Sequence, residues 1–178
     1  MTTETAPGWD ETYALAQQIA TILKARKETV AVAEGSAGGL VSAALLAVPG
    51  ASAYYLGGTV VYTPQAHKAF IAGTVELPAG MRGASEPFAT YLAEAVAQRT
   101  EATWGIGEAG AAGPPNRYGD PAGHVWLAIS GPHTPGGTST TVTRHLLTGL
   151  EDRVANMAVF TAGALRLFLE TLEQRAGK

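Results

Sequence analysis

The chain has 178 residues, of which 46% are hydrophobic and 15% charged, with a formal net charge of −3 and no cysteine. This length and composition suit one domain with a substantial core. They exclude disulfides, thiolate metal sites and a cysteine nucleophile, and the absence of a Lys/Arg run argues against a nucleic-acid partner. Residues 1–9 are polar and are predicted to be a flexible tail rather than a secretion signal. The longest apolar stretch, residues 40–48, is too short to span a bilayer, so we expect a cytoplasmic protein with no membrane partner.

Periodic apolar residues and turn signals divide the chain into alternating helices and strands. Strands are predicted at residues 29–33, 55–62, 103–107, 124–130 and 138–147. Helices are predicted at residues 10–27, from the turn after the first strand to about residue 47, at 64–73, from Ser85 onward, and at 151–172. This order predicts a three-layer α/β/α sandwich within a single domain of residues 10–175. Its core is a mainly parallel mixed sheet of about five strands, one of them antiparallel.

Local signals assign roles to residues at the ends of these elements. Asp10 and Ser85 are predicted N-caps, and Pro64 suits the first turn of its helix. The pair Gly57-Gly58 indicates a bulge in the second strand. Residues 110–123 are too rich in glycine and proline for regular structure, and a long ordered loop of this kind is more often functional than not.

Only small residues follow Glu34 in the turn between the first strand and the next helix, residues 33–39 (AEGSAGG). A strand that enters a helix through such residues leaves several amide N–H groups unpaired at the helix N-terminus. Those amides, together with the helix dipole, favour an anion such as a phosphate or a carboxylate. The alternative is a tight turn that lets the helix pack closely on the sheet.

Polar side chains are concentrated where the predicted parallel strands end. These ends carry Glu34-Gly35-Ser36, Tyr62-Thr63 and Glu108-Ala109-Gly110. Sites in open α/β sheets lie at the carboxyl ends of the strands, so the candidate site is expected there. Glu34, Glu108 and His67 lack the spacing of a metal motif, and neither a metal nor a cofactor is predicted.

Six segments in chain order carry the pattern of a known family. They are residues 33–39 (AEGSAGG), 49–53 (PGASA), 62–67 (YTPQAH), 84–86 (ASE), 108–114 (EAGAAGP) with 123–126 (GHVW), and 152–153 (DR). Over residues 10–172 they resemble the C-terminal domain of the competence/damage-inducible protein CinA and its stand-alone relatives, the nicotinamide mononucleotide deamidases of the PncC type. The resemblance implies a three-layer α/β/α fold, a small nucleotide-like ligand at the turn, and a homo-oligomer, expected to be a dimer.

The resemblance also implies a reaction, hydrolysis of the amide C–N bond of nicotinamide mononucleotide to give nicotinate mononucleotide. In the family pattern the serine after the glutamate is the nucleophile, and the lysine that ends the Y-S-N-E-A-K motif is its base. Here those two positions are Gly35 and His67. Gly35 has no side chain and cannot form an acyl-enzyme. His67 could act as a base at neutral pH with a nucleophile within about 3 Å.

Three functions stay open at this point. The first is a deamidase-like amidohydrolase, and the second is a catalytically inactive relative that binds a nucleotide-like ligand or a protein partner. The third is a repurposed hydrolase that uses His67, Ser36 and Glu108. Ser36 could be a shifted nucleophile with His67 as base and Tyr62 or Glu34 orienting, or it could simply cap the helix.

The candidate residues fall into two groups. The catalytic candidates are Ser36, His67 and Tyr62. The ligand-binding candidates are Glu34, Gly35, Ser36, Gly38, Gly39, Glu108, Gly110, Gly113 and Arg153. Arg153 is included because its guanidinium could meet a phosphate. Arg117 could do the same, but a surface position is an equal alternative for it.

Overall fold

The computed structural model of the chain describes residues 6–77, 79–133, 137 and 139–175. The strands are β1 (Val30–Glu34), β2 (Tyr55–Val60), β3 (Trp104–Ala111), β4 (His124–Gly131) and β5 (Thr140–Leu147). The helices are α1 (Trp9–Arg26), α2 (Leu40–Ala47), α3 (Pro64–Phe70), α4 (Glu86–Thr100) and α5 (Arg153–Gln174), with one 3-10 turn at Ala51–Ala53. No helix in this described part of the chain is both long and apolar enough to cross a membrane.

The five strands form one mixed sheet in the order β2-β1-β3-β4-β5. β1 pairs in parallel with both β2 and β3, whereas β4 pairs antiparallel with both β3 and β5. β4 is therefore the single strand that runs against the other four, which confirms the predicted sheet. The short connection between β4 and β5 predicts that these two strands pair antiparallel, which the structure confirms. β3 and β4 are antiparallel as well because a loop, and not a crossover helix, connects them.

Helices cover both faces of the sheet and form the outer two layers. Alternate residues of β1 belong to different clusters, since Val30 and Val32 pack with α1, α2 and α5, whereas Ala31 and Ala33 pack with α4. This alternation is the two-residue period of a strand buried on both faces. α4 lies very close to β3, and the absence of a side chain at Gly107 permits this approach. A Cβ atom on Gly107 would lie only 2.0 Å from the Ala89 carbonyl oxygen. This close packing holds the middle of β3 against α4, and the carboxyl end of the same strand borders the candidate site.

Several element boundaries differ from the sequence prediction. α1 begins at Trp9 with Gly8 as N-cap, so Asp10 lies in the first turn and does not cap the helix. β3 runs to Ala111 because its ladder with β4 continues, so the predicted loop 110–123 starts two residues later. Of the predicted tail, residues 1–5 lie outside the described residues.

Two helix starts and one bulge were also predicted. Pro64 stands in the first turn of α3 as expected. Ser85 precedes α4, but its hydroxyl donates to the Arg82 carbonyl and caps no helix amide. The register of β1 and β2 slips by one residue opposite Leu56, one position before the predicted glycine pair.

Candidate functional site

Glu34 ends β1, and its buried side chain caps the first turn of α2. Its Oε2 accepts the Val41 amide at 3.1 Å, and its Oε1 accepts the Ser42 amide at 3.0 Å and the Ser42 hydroxyl at 2.7 Å. A carboxylate is stabilised at this positive end of a helix. The expectation that these amides bind an external anion is therefore wrong, because a carboxylate of the chain itself occupies them.

Glu108 lies opposite Glu34 on β3, where it is fully buried. Its Oε2 accepts the amides of Gly35 at 2.9 Å and Ala37 at 2.8 Å, and its Oε1 accepts the hydroxyl of Ser36. Burial raises the pKa of Glu108 to about 7, and the nearby Glu34 adds to this effect while the three donors oppose it. The two carboxylates thus hold the turn from both sides.

Ser36 is buried in the turn and directs its hydroxyl at Glu108. α2 begins at Leu40 with Gly39 as its N-cap, so the alternative that Ser36 caps the helix is not found. Gly110 lies beside the serine, and a Cβ atom there would be 2.8 Å from Ser36 Oγ. A side chain at position 110 would collide with the serine hydroxyl.

The glycines of the turn differ in how strongly the fold requires them. Gly38 has φ +70°, and a Cβ atom there would lie 2.8 Å from Met157 Cε, so a larger residue would be strained. A Cβ atom on Gly35 would lie 3.5 Å from the nearest backbone oxygens, which is an ordinary contact. The loss of the hydroxyl at Gly35 is therefore not imposed by packing.

A cavity of about 610 Å³ opens beside this turn, at the carboxyl ends of the parallel strands. The lining residues come from the turn, the segment from the end of β2 to the start of α3, the segment before α4 with the first turn of α4, the end of β3 with the loop after it, and the start of α5. They are Ser36, Val61, Tyr62, Thr63, Pro64, Leu77, Met81, Gly83, Phe88, Gly110, Ala111, Ala112, Gly113, Pro114, Asn116, Arg117, Tyr118 and Arg153. Among the described residues, Arg117 and Arg153 are the charged ones in the lining, and none of the described aspartates or glutamates belongs to it. A chain with a net negative charge thus has a positively charged cavity lining.

Arg153 joins two other predicted residues at the mouth of the cavity. Its Nη1 donates to the Gly113 carbonyl and its Nη2 donates to the Tyr62 hydroxyl at 3.3 Å. Tyr62 is 64% exposed. Among the residues that the structure describes, neither Arg153 nor Arg117 has a carboxylate partner. Both guanidinium groups are therefore available to an anion.

A polar cluster that was not predicted from the sequence holds the β3–β4 loop. Asp120 accepts Arg82 Nη1 at 2.5 Å and Asn116 Nδ2 at 2.9 Å, and the Arg82 guanidinium holds the pKa of Asp120 below its ordinary value. Asn116 Oδ1 in turn accepts the amides of Tyr118 and Asp120. These bonds position Arg117 and Tyr118 at the cavity, and the Asn/Asp spacing within the glycine-rich loop was the available signal.

His67 is not brought to Ser36. Its Nε2 is hydrogen bonded to the Tyr91 hydroxyl at 2.8 Å, and its ring packs against Tyr91 and Phe88. Phe88 lines the cavity whereas His67 does not. The predicted pairing of Ser36 with His67 is thus not found, because Glu108 and Tyr91 are their respective partners. The described residues include no group of three or more His, Asp and Glu side chains arranged to hold a metal ion.

Comparisons with known proteins agree with this fold. The family model described as the CinA C-terminal domain matches residues 12–172. A CinA-like protein of Anaeromyxobacter dehalogenans (strain 2CP-1) is 40% identical over 149 residues, which are 83% of this chain and 35% of the relative. A CinA-like protein of Prochlorococcus marinus (strain MIT 9313) is 39% identical over 120 residues, or 67% of this chain and 28% of the relative. The chain therefore spans about a third of the length of these curated relatives.

Solved structures show the same architecture. The competence/damage inducible protein CihA from Agrobacterium tumefaciens superposes with a TM-score of 0.79 at 27% identity, covering 94% of this chain and 97% of that one. A CinA superfamily protein from Escherichia coli superposes with a TM-score of 0.75 at 27% identity, covering 90% of each chain. The match extends over nearly all of both chains, so the fold is shared as a whole.

Proposed function

Because this chain belongs to the family of CinA C-terminal domains, we propose that it is a nicotinamide-nucleotide amidohydrolase-like protein whose cavity binds a phosphorylated nicotinamide nucleoside. The observation that carries the proposal is the charge of the cavity, which Arg117 and Arg153 line with no carboxylate from the described part of the chain. A guanidinium binds phosphate through paired N–H donors. The volume of about 610 Å³ suits a small molecule.

The proposed reaction is the hydrolysis of the amide C–N bond of nicotinamide mononucleotide, which yields nicotinate mononucleotide and ammonia. With the phosphate at Arg153, the other end of the ligand would extend toward the turn. There Ser36 contributes a hydroxyl to the lining, whereas Gly35 contributes no side chain. Hydrolysis at this place therefore needs a nucleophile other than the residue at the serine position of the family pattern.

Incubating the purified chain with nicotinamide mononucleotide tests the proposal directly. We expect release of ammonia, with nicotinate mononucleotide as the second product. Nicotinamide riboside, which lacks the phosphate, is the matched control and should react more slowly. If a sample shown to be folded by circular dichroism releases no ammonia above the buffer rate, the hydrolase proposal is wrong.

A second candidate function is binding without turnover. It is favoured by the missing hydroxyl at Gly35 and by the engagement of His67 with Tyr91, since loss of an activated nucleophile typically slows an enzyme by several orders of magnitude. A rise in melting temperature with nicotinamide mononucleotide, but no ammonia, would identify a binding protein. The absence of both responses would reject this ligand class.

A further inference from the structure

We propose that Ser36 and Glu108 form a nucleophile–base pair at the cavity, in place of the serine and lysine of the family pattern. The Ser36 hydroxyl donates to Glu108 Oε1, and Ser36 is part of the cavity lining. The inference rests on the proposed function, because it supplies the amide hydrolysis with the nucleophile that Gly35 cannot provide.

The surroundings hold the two groups in one arrangement. Glu108 Oε2 accepts two backbone amides, those of Gly35 at 2.9 Å and Ala37 at 2.8 Å, so the carboxyl group cannot rotate away from the serine. Gly110 carries no side chain where one would cover Ser36 Oγ. A nucleophile with its base at hydrogen-bond distance and the base oriented by further groups is the arrangement that covalent catalysis requires.

Burial also prepares Glu108 for proton transfer. Glu108 has no solvent-exposed surface, and Ser36 is 5% exposed. Burial raises the pKa of Glu108 to about 7, and a general base works best with a pKa near the working pH. Within the described residues neither histidine nor lysine belongs to the cavity lining, so Glu108 is the base in contact with a lining hydroxyl.

The reaction balances with these two residues and water. Ser36 Oγ attacks the amide carbon while its proton passes to Glu108 Oε1. The C–N bond then breaks, Glu108 returns the proton to the leaving nitrogen, and ammonia departs from an acyl ester on Ser36. Water attacks the ester carbon and gives a proton to Glu108. The ester bond breaks, the proton returns to Ser36 Oγ, and the carboxylic acid is released.

A fluorophosphonate ester tests the pair without any nicotinamide ligand, because it forms an O–P bond with an activated serine and releases fluoride. We expect peptide mass spectrometry of the labelled full chain to place the adduct on Ser36. The adduct should be absent from Ser36→Ala and form at least about 100-fold more slowly in Glu108→Gln, since a positioned base contributes about this factor or more. Ser130→Ala removes a buried serine hydroxyl at the other end of the sheet and should leave labelling of Ser36 unchanged.

The outcomes separate this inference from the proposed function. An unlabelled Ser36 in folded wild-type protein overturns the pair, and so does labelling that is as fast in Glu108→Gln as in the wild type. If Glu108→Gln does not fold, Glu108→Asp takes its place. Its side chain is one methylene shorter, which moves the carboxyl group away from Ser36 and must also slow labelling. Labelling without ammonia release rejects only the proposed substrate, whereas ammonia release that survives Ser36→Ala rejects only the pair.

Discussion

The floor of the cavity is the turn that carries Ser36, and behind this turn, outside the lining itself, lie the buried side chains of Glu34 and Glu108. Each of them accepts hydrogen bonds from two backbone amides and one serine hydroxyl. At the mouth, Arg117 and Arg153 are exposed and have no carboxylate partner among the described residues. The two carboxyl groups are thus satisfied by donors of the chain itself, whereas the two guanidinium groups face solvent.

The buried carboxylates therefore stabilise the turn, whereas the exposed arginines are the groups that can recognise a ligand. A helix N-terminus that already holds Glu34 offers no room for a second anion and would repel one. We therefore expect the floor to decide stability and chemistry, and the mouth to decide the affinity for a charged ligand.

The largest effect is expected at Glu34. Glu34→Ala leaves the Val41 amide, the Ser42 amide and the Ser42 hydroxyl without their acceptor, which should lower the free energy of unfolding by about 4 kcal/mol. Urea denaturation measures this loss. Glu34→Gln keeps one acceptor oxygen and should lose about half as much. A loss below about 1 kcal/mol in the alanine variant would show that water replaces the carboxylate and that Glu34 does not stabilise the first turn of α2.

A pH effect of nearly the same size is expected from Glu108. Its pKa rises from the ordinary 4.5 to about 7 on folding, so the folded chain binds this proton more tightly than the unfolded chain. The stabilising contribution is then fully present below pH 4.5 and is lost as the pH rises through about 7. The shift corresponds to about 3 kcal/mol. Urea denaturation across this range should show the decline in the wild type and not in Glu108→Gln, and parallel curves would contradict it.

The sheet could be predicted because its signals are local. The β-branched run of β1, the short β4–β5 connection and the alternation of helices with strands were sufficient for a mixed sheet with one antiparallel strand. Boundaries failed where tertiary pairing decides them, as at the end of β3, which extends to Ala111 because β4 continues beside it.

The chemistry of the floor could be predicted only in part. The sequence singles out both Ser36 and Glu108, but 72 residues separate them and no local pattern shows that they meet. The sequence paired Ser36 with His67 from the resemblance alone, and the structure instead turns His67 toward Tyr91 on α4. The anion site at α2 was wrongly predicted because the sequence does not show that the side chain of Glu34 turns back onto the helix amides.

The smallest of the expected effects tests the mouth. Arg153→Gln removes the charge from an exposed side chain that pairs with no carboxylate among the described residues, so the fold should be retained while phosphate binding weakens. By isothermal titration calorimetry we expect the Kd for nicotinamide mononucleotide to rise about 10-fold, or about 1.4 kcal/mol. The Kd for nicotinamide riboside should not change. Arg166→Gln, on the same helix but paired with Glu11, is the matched control. If both variants weaken binding equally, overall charge and not the mouth of the cavity attracts the ligand.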